Sequence, residues 1–217
     1  MDVRPALATA AHALAAEGLV TAFGHVSVRL DAGRVAITPA VPLGSVRPDD
    51  DFPVVPLDAT ELPAGIPKEA WIHLAILRAR PEVDAVCRAQ PETVTAITAA
   101  GVPIRPLHGQ GSFVGDVVPV FTDPRLVRDP ERAGRLAATL GRADALVMRG
   151  NGAITTGATP GEAVARMWVL EASARLNAVA ASAGTPEPLS IEEQEAWRTT
   201  STELLGRIWS HLSAQHG

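Results

Sequence analysis

The sequence predicts an α/β domain, helices laid over a sheet, and three observations carry that prediction. Helical and strand periodicities alternate along all 217 residues, and no internal repeat or Gly/Ser-rich linker divides them. With 47% hydrophobic residues, the chain can bury a large core without disulfide or metal staples. One domain spanning residues 1–217 is therefore expected. The pattern leaves strand polarity open.

Each element follows from local chemistry. Leu7, Ala10, Ala11 and Leu14 recur at helical spacing within residues 5–18, and Gly18 is the stop. Val26–Leu30 alternates apolar with polar, then Asp31-Ala-Gly33 turns the chain into Val35–Thr38, a hairpin signal. Proline, glycine and aspartate dominate from Pro39 to Asp51, a loop, and a short strand follows at Val54–Leu57. Pro67 suits the first turn of a helix that runs to Arg80 with Trp71, Leu74, Ala75 and Leu77 on its apolar face. Asp84–Ala89 reads as a buried strand, Pro91 opens a helix ending near Gly101, and Pro103–Pro124 is strand and loop. Asp129 at the N-cap and Pro130 at the first position open a helix over 129–141. Strands at Ala145–Met148 and Ala153–Thr156 flank the turn Gly150-Asn-Gly152. Thr159-Pro-Gly-Glu162 is a capping box for the longest helix, about 24 residues, which ends at Gly184. Pro186 and Pro188 separate it from a helical tail carrying Trp197, Ile208 and Trp209.

Charge and cysteine usage exclude several classes. With 24 acidic and 19 basic residues the net charge is −5, and Lys/Arg clusters that neutralise phosphates are missing, so no nucleic-acid partner is expected. Cys87 stands alone, which excludes an internal disulfide or multi-Cys zinc module. No uncharged apolar run reaches the roughly 18 residues of a membrane span. Arg4, His12 and Glu17 interrupt the alanine-rich N-terminus, so it does not read as a signal peptide. A soluble cytoplasmic protein is the expectation.

Three blocks, colinear from about residue 5 to 181, resemble the class II aldolase/adducin family. The first is Gly18-Leu19, Gly24-His-Val-Ser-Val-Arg29 and Ile37-Thr-Pro39; the second is Glu69 with His73, then Arg80-Pro-Glu-Val-Asp-Ala-Val86. The third is Arg149-Gly-Asn-Gly152, Gly157, Glu162-Ala163 and Leu170-Glu-Ala172. The resemblance implies a three-layer α/β/α sandwich with a largely antiparallel central sheet, assembled as a homotetramer. It also implies aldol cleavage, epimerisation or decarboxylation at a divalent metal held by three histidines, with a middle-block glutamate as acid/base or extra ligand.

Here the chain departs from the family's pattern. The His-x-His pair reads Arg88-Ala-Gln90, and the histidine of the last block reads Asn151. Neutral imidazoles bind zinc at about 2.0–2.1 Å, amides do so poorly, and a guanidinium stays protonated and repels a dication. No metal cofactor is therefore expected, unless new ligands such as Glu69 with His108 hold one.

Glu69 reads as general acid/base or as a solvated carboxylate one or two turns into its helix. Arg88 reads as a permanent cation for a carboxylate or enolate oxygen, or as a structural ion pair, with Glu69 a candidate partner. Gln90 and Asn151 supply neutral donors to the same oxygen, or merely fill the old site. His108 offers proton transfer or a loop-ordering hydrogen bond. His25 and Ser27 are assigned to the substrate cavity, and His73 to structure. Lys68, exposed at a helix start, is not a Schiff-base lysine, and Cys87 is inert core. Ala40-Val41 and Pro67-Lys68 stand where sugar-phosphate members carry hydroxyl residues, so a phosphorylated sugar is not expected; the chain also has no tyrosine to donate protons.

Two functions follow. One is a lyase that cleaves or decarboxylates a small hydroxy- or keto-acid without metal, with Glu69, Arg88 and His108 catalytic. The other is a non-catalytic, adducin-like binding or scaffold protein.

Overall fold

A computed structural model describes residues 2–214. At the centre of these residues is a seven-stranded sheet built from β1 (His25–Asp31), β2 (Arg34–Ile37), β3 (Val54–Pro56), β4 (Ala85–Ala89), β5 (Val120–Phe121), β6 (Ala145–Met148) and β7 (Gly152–Gly157). The strand order is β3-β2-β1-β4-β7-β6-β5, antiparallel at every pairing except β5 with β6. The polarity that the sequence pattern left open is thus largely antiparallel, as the resemblance implies.

Among the described residues, seven α-helices cover the sheet: α1 (Arg4–Ala16), α2 (Ala70–Ala79), α3 (Glu92–Ala99), α4 (Pro130–Leu140), α5 (Pro160–Ala183), α6 (Ile191–Arg198) and α7 (Ser201–Ser213). Alternation along β4 divides the core in two. Ala85, Cys87 and Ala89 pack towards α1, α3, α5 and α7, whereas Val86 joins Ile154 and Leu146 under α2 and α4. That division makes the three layers.

Helix starts follow their caps. Asp129 accepts from the Arg132 amide at 2.8 Å and opens α4. Thr159 accepts from the Glu162 amide, but Glu162 reaches back to the Ala158 amide, one residue earlier than a capping box requires. The reciprocal box occurs at Ser190 and Glu193, opening α6. The Pro67 helix starts later than the sequence suggests. Pro67–Glu69 form turns, so Glu69 is the N-cap residue of α2 rather than a position one or two turns inside it.

The apolar tail is used inside the chain more than its sequence suggests. Ile208 and Trp209 pack against the α1–α5 core, and Trp209 lies so close over Gly161 that a Cβ there would meet the indole at 2.5 Å. Trp197, 41% exposed, covers Gly109.

Candidate active site

The strand register assembles the floor of a cavity. Arg88 on β4 lies directly opposite His25 on β1 and Ile154 on β7, so its side chain shares the α2 face of the sheet with His25. The β6–β7 turn adds Asn151. That turn depends on Gly152, whose φ is +90° and where a Cβ would run into the Ala89 carbonyl oxygen. Glycine there lets the turn press onto the end of β4 and brings Asn151 to Arg88.

The cavity measures ≈ 570 Å³, within the size range of small-molecule sites. Arg88, His25, Gln90 and Asn151 line its floor and Glu69 and Arg128 its side, while Phe23, Val41 and Leu126 stand exposed around it. Ala40, Val41 and Pro67, three of the four positions where the resemblance implies hydroxyl residues in sugar-phosphate members, are apolar and line the cavity.

Arg88 is 3% exposed. One terminal nitrogen donates to Asn151 Oδ1 at 2.8 Å, and Nε has no partner. Burial lowers the guanidinium pKa, yet a guanidinium stays charged near neutral pH. Its contact is a neutral amide, and no carboxylate among the described residues lies within ion-pair distance of it. The structural pairing of Arg88 with Glu69 is therefore not formed. Glu69 instead accepts from Arg128 Nε at 2.9 Å. Burial pushes the Glu69 carboxyl up, but the Arg128 hydrogen bond and nearby charge outweigh it, leaving the pKa below its ordinary value. Glu69 is thus a carboxylate at neutral pH, a proton acceptor rather than a resident acid.

Behind the floor lies a second polar layer. Ser27 Oγ and His73 Nδ1 are hydrogen-bonded at 2.8 Å, and the His73 ring meets His25 edge-to-face at 6.4 Å. Burial, then the charge of Arg88, lowers the His25 pKa to about 4, and burial holds His73 well below its ordinary value. Both rings are neutral near pH 7. His25 Nδ1 and His73 Nε2 are buried without a partner among the described residues.

Of the residues singled out in the sequence, Glu69, Arg88, His25, Gln90 and Asn151 meet in this cavity. Ser27 sits one layer below, reached through His73. His108 is elsewhere: it does not line the cavity, and its Nε2 is hydrogen-bonded at 3.0 Å to Ser173 of α5, the loop-ordering role. Cys87 points to the opposite face, fully buried, its thiol pushed up to about 12 by that burial. Arg128, Phe23 and Leu126 are cavity residues that sequence reasoning missed. Arg128 adjoins the recognised N-cap Asp129, and nothing else in the sequence marks it.

The sequence matches a family model as well. A model of the class II aldolase and adducin N-terminal domain matches residues 5–178. The chain belongs to the class II aldolase/adducin family. Among similar proteins is a 3,4-dihydroxyphthalate decarboxylase of Terrabacter sp. (strain DBF63), 32% identical, with 99% of this chain and 97% of that protein covered. A second such decarboxylase, from Rhodococcus jostii (strain RHA1), is 28% identical over 98% and 95%. Among solved structures, an L-fuculose-1-phosphate aldolase from Thermus thermophilus superposes with a TM-score of 0.73 at 28% identity, covering 82% of this chain and 95% of that one.

The donor set at the family's metal position does not fit a dication. Arg88, Gln90 and Asn151 offer a fixed cation and two amides, and the Asn151 carbonyl oxygen is already taken by Arg88. No group of three or more His, Cys, Asp or Glu suited to a metal occurs among the described residues.

Proposed function

We propose that this class II aldolase-family chain is a carbon–carbon lyase that decarboxylates a small hydroxy-aromatic or β-keto acid with Arg88 in the place of the metal. The observation that carries the reading is the charge balance of the cavity. Two guanidinium groups, Arg88 and Arg128, face one carboxylate, Glu69, among neutral rings and apolar walls. The net positive charge calls for an anionic ligand, and the flanking Phe23, Val41, Pro42 and Leu126 call for an apolar body.

The chemistry follows from that balance. Losing CO2 leaves an electron pair that passes through the adjoining unsaturation to an oxygen. Arg88 presents its charge and its unpaired Nε–H to that oxygen, and Asn151 holds the guanidinium plane in place. Glu69, ionised by Arg128, takes a proton from the substrate hydroxyl or from solvent and delivers it to the carbon that has lost CO2. The carbon exchanges CO2 for hydrogen, and no oxidant is needed. Gln90 and neutral His25 orient the polar groups of the substrate from the floor.

A scaffold role is less well supported. A buried cation without a direct ion-pair partner costs on the order of a few kcal/mol, and a decaying site would shed it for an apolar residue. We further propose a homotetramer, as the family resemblance implies, and a cytoplasmic location. Leu176 and Val179, exposed on one face of α5, are available to such an assembly, which light scattering would measure. No helix among the described residues is long and apolar enough to cross a membrane.

The test is turnover. Purified protein given 3,4-dihydroxyphthalate and a panel of hydroxybenzoates and β-keto acids should release CO2 from at least one of them. Failure on the whole panel would remove the proposal and favour the scaffold reading.

A further inference from the structure

Five buried side-chain polar atoms lack a hydrogen-bond partner among the described residues: His25 Nδ1, His73 Nε2, Arg88 Nε, Ser112 Oγ and Arg198 Nε. Buried polar groups are nearly always satisfied, so each exception needs a reason. The first three belong to the floor of the active-site cavity and the layer beneath it. The other two meet in a second cavity of ≈ 240 Å³. That cavity adjoins Ala143 and Asp144, at the start of β6, whereas Asn151 of the active site follows the end of the same strand. The two cavities therefore lie at opposite ends of the sheet.

Its lining is cationic and rich in hydroxyls. Arg142, Arg166 and Arg198 contribute three positive charges against Asp116 and Asp144, and Ser112 and Ser201 add hydroxyls. Both aspartates are engaged. Asp144 pairs with Arg80 at 3.3 Å and with Arg166 at 3.5 Å and accepts from Thr156 Oγ1, while Asp116 accepts from Gln194 Nε2 at 3.1 Å. Arg166 is further committed to Glu162 and to the Thr156 and Phe113 carbonyls. What stays free is Arg142, exposed and with no ion pair or hydrogen bond among the described residues. Free too are the Nε–H of Arg198 and the hydroxyl of Ser112, itself 2% exposed. Helix α7 begins at the cavity with Ser201, and no side chain caps it, so its positive end is left for an anion.

We propose that this second cavity binds a phosphate group, as the free ion or as the end of a phosphomonoester, at a site separate from the catalytic cavity. The free donors come from the 109–114 turn, the α4–β6 connection, the end of α6 and the start of α7. Donors converging from four directions suit a tetrahedral oxyanion better than a planar carboxylate. The volume holds a phosphate group and part of an ester body attached to it. Because Arg198 and Ser201 belong to the C-terminal helices and Ser112 and Arg142 to the sheet domain, the bound ion ties the tail to the core.

The test is titration of the whole protein with inorganic phosphate and, separately, with glycerol 3-phosphate, followed by calorimetry and thermal melting. At ten times its Kd, phosphate should raise Tm by about 3–5 °C. Arg142→Ala and Ser112→Ala should each weaken binding, the former by about ten- to a hundredfold, since one charge-assisted hydrogen bond is removed. Arg142 is exposed and unpaired, so that variant keeps its fold, which its melting point without phosphate verifies. Tighter binding of glycerol 3-phosphate assigns the site to the end of a larger ligand, and equal binding to the free ion; either supports the proposal. Three outcomes overturn it. One is no response to either probe. Another is a response that survives both substitutions and disappears in Arg128→Ala, which would put the ion in the catalytic cavity. The third is acetate matching phosphate.

Discussion

The floor and the rim of the active-site cavity each hold an arginine, and they hold it in opposite ways. At the rim, Arg128 is half exposed and paired with a carboxylate, Glu69, in an arrangement that solvent also supports. At the floor, Arg88 is almost wholly buried, its one close partner is the neutral Asn151, and its neighbours His25 and His73 are held uncharged. The rim is balanced without ligand. The floor is balanced only when an anion arrives, which is how stability is exchanged for a prepared electrostatic site. Each half of that contrast can be broken separately.

The largest effect belongs to Arg88. Arg88→Lys keeps the charge but loses the planar fork and the hydrogen bond to Asn151, and kcat/KM for the decarboxylated acid should fall by about 10²–10³. Arg88→Met should lose at least as much activity while Tm does not drop, because a desolvated charge is removed along with its cost. A Tm that collapses in Arg88→Met would make Arg88 a structural brace, and the contrast with Arg128 would vanish.

How much of this contrast is written in the sequence differs between its halves. The floor is legible: Arg88, Gln90 and Asn151 stand in blocks whose order and spacing are recognisable, and strand register then brings His25 opposite Arg88. The rim is not. Arg128 and Leu126 lie in a loop without periodicity, and only tertiary packing of α4 against α2 carries Arg128 to Glu69. His108 is the reverse case. In the sequence it reads equally as a proton-transfer or a loop-ordering group, and its ring is hydrogen-bonded to Ser173 of α5, on a different face of the core. For the fold, period and capping residues place most helices within two residues. Strand order, by contrast, depends on long-range pairing that no local pattern records.

Acid sensitivity is the next effect, and it belongs to the floor. His25 titrates near 4 in the folded chain against 6.5 ordinarily, and His73 is shifted in the same direction. The unfolded chain therefore binds more protons below pH 6.5. Stability should be full above that pH and fall as pH drops from 6.5 towards 4, by on the order of 3 kcal/mol from His25. Chemical denaturation across that window should show the slope, and His25→Gln should flatten it. An unchanged slope in that variant would mean that the floor does not exclude charge on His25.

At the rim the expected effect is smaller. Arg128→Ala removes the hydrogen bond that lowers the Glu69 pKa, while the burial that raises it stays. In the parent protein Glu69 remains ionised down to below its ordinary 4.5, so turnover should hold to that pH and then fail. In the variant the acid limb of the pH–rate profile should move upward, so that the loss of turnover is larger at acid pH than at pH 8. A uniform loss at all pH values would mean that Arg128 only binds substrate.

The smallest expected effect is none at all, on removing metal. The floor is again the reason: the positions where the resemblance implies three histidines carry Arg88, Gln90 and Asn151, and the Asn151 side-chain oxygen is already bonded to a cation. Dialysis against a strong chelator should leave both turnover and Tm unchanged, and elemental analysis should find no stoichiometric zinc. The reason for that zero can be isolated by restoring imidazoles at all three positions, Arg88→His with Gln90→His and Asn151→His. Zinc should then bind, raise Tm and become sensitive to chelation. If the parent protein itself loses turnover on chelation, the floor holds a metal through another set of ligands, and the charge contrast between Arg88 and Arg128 no longer explains the chemistry.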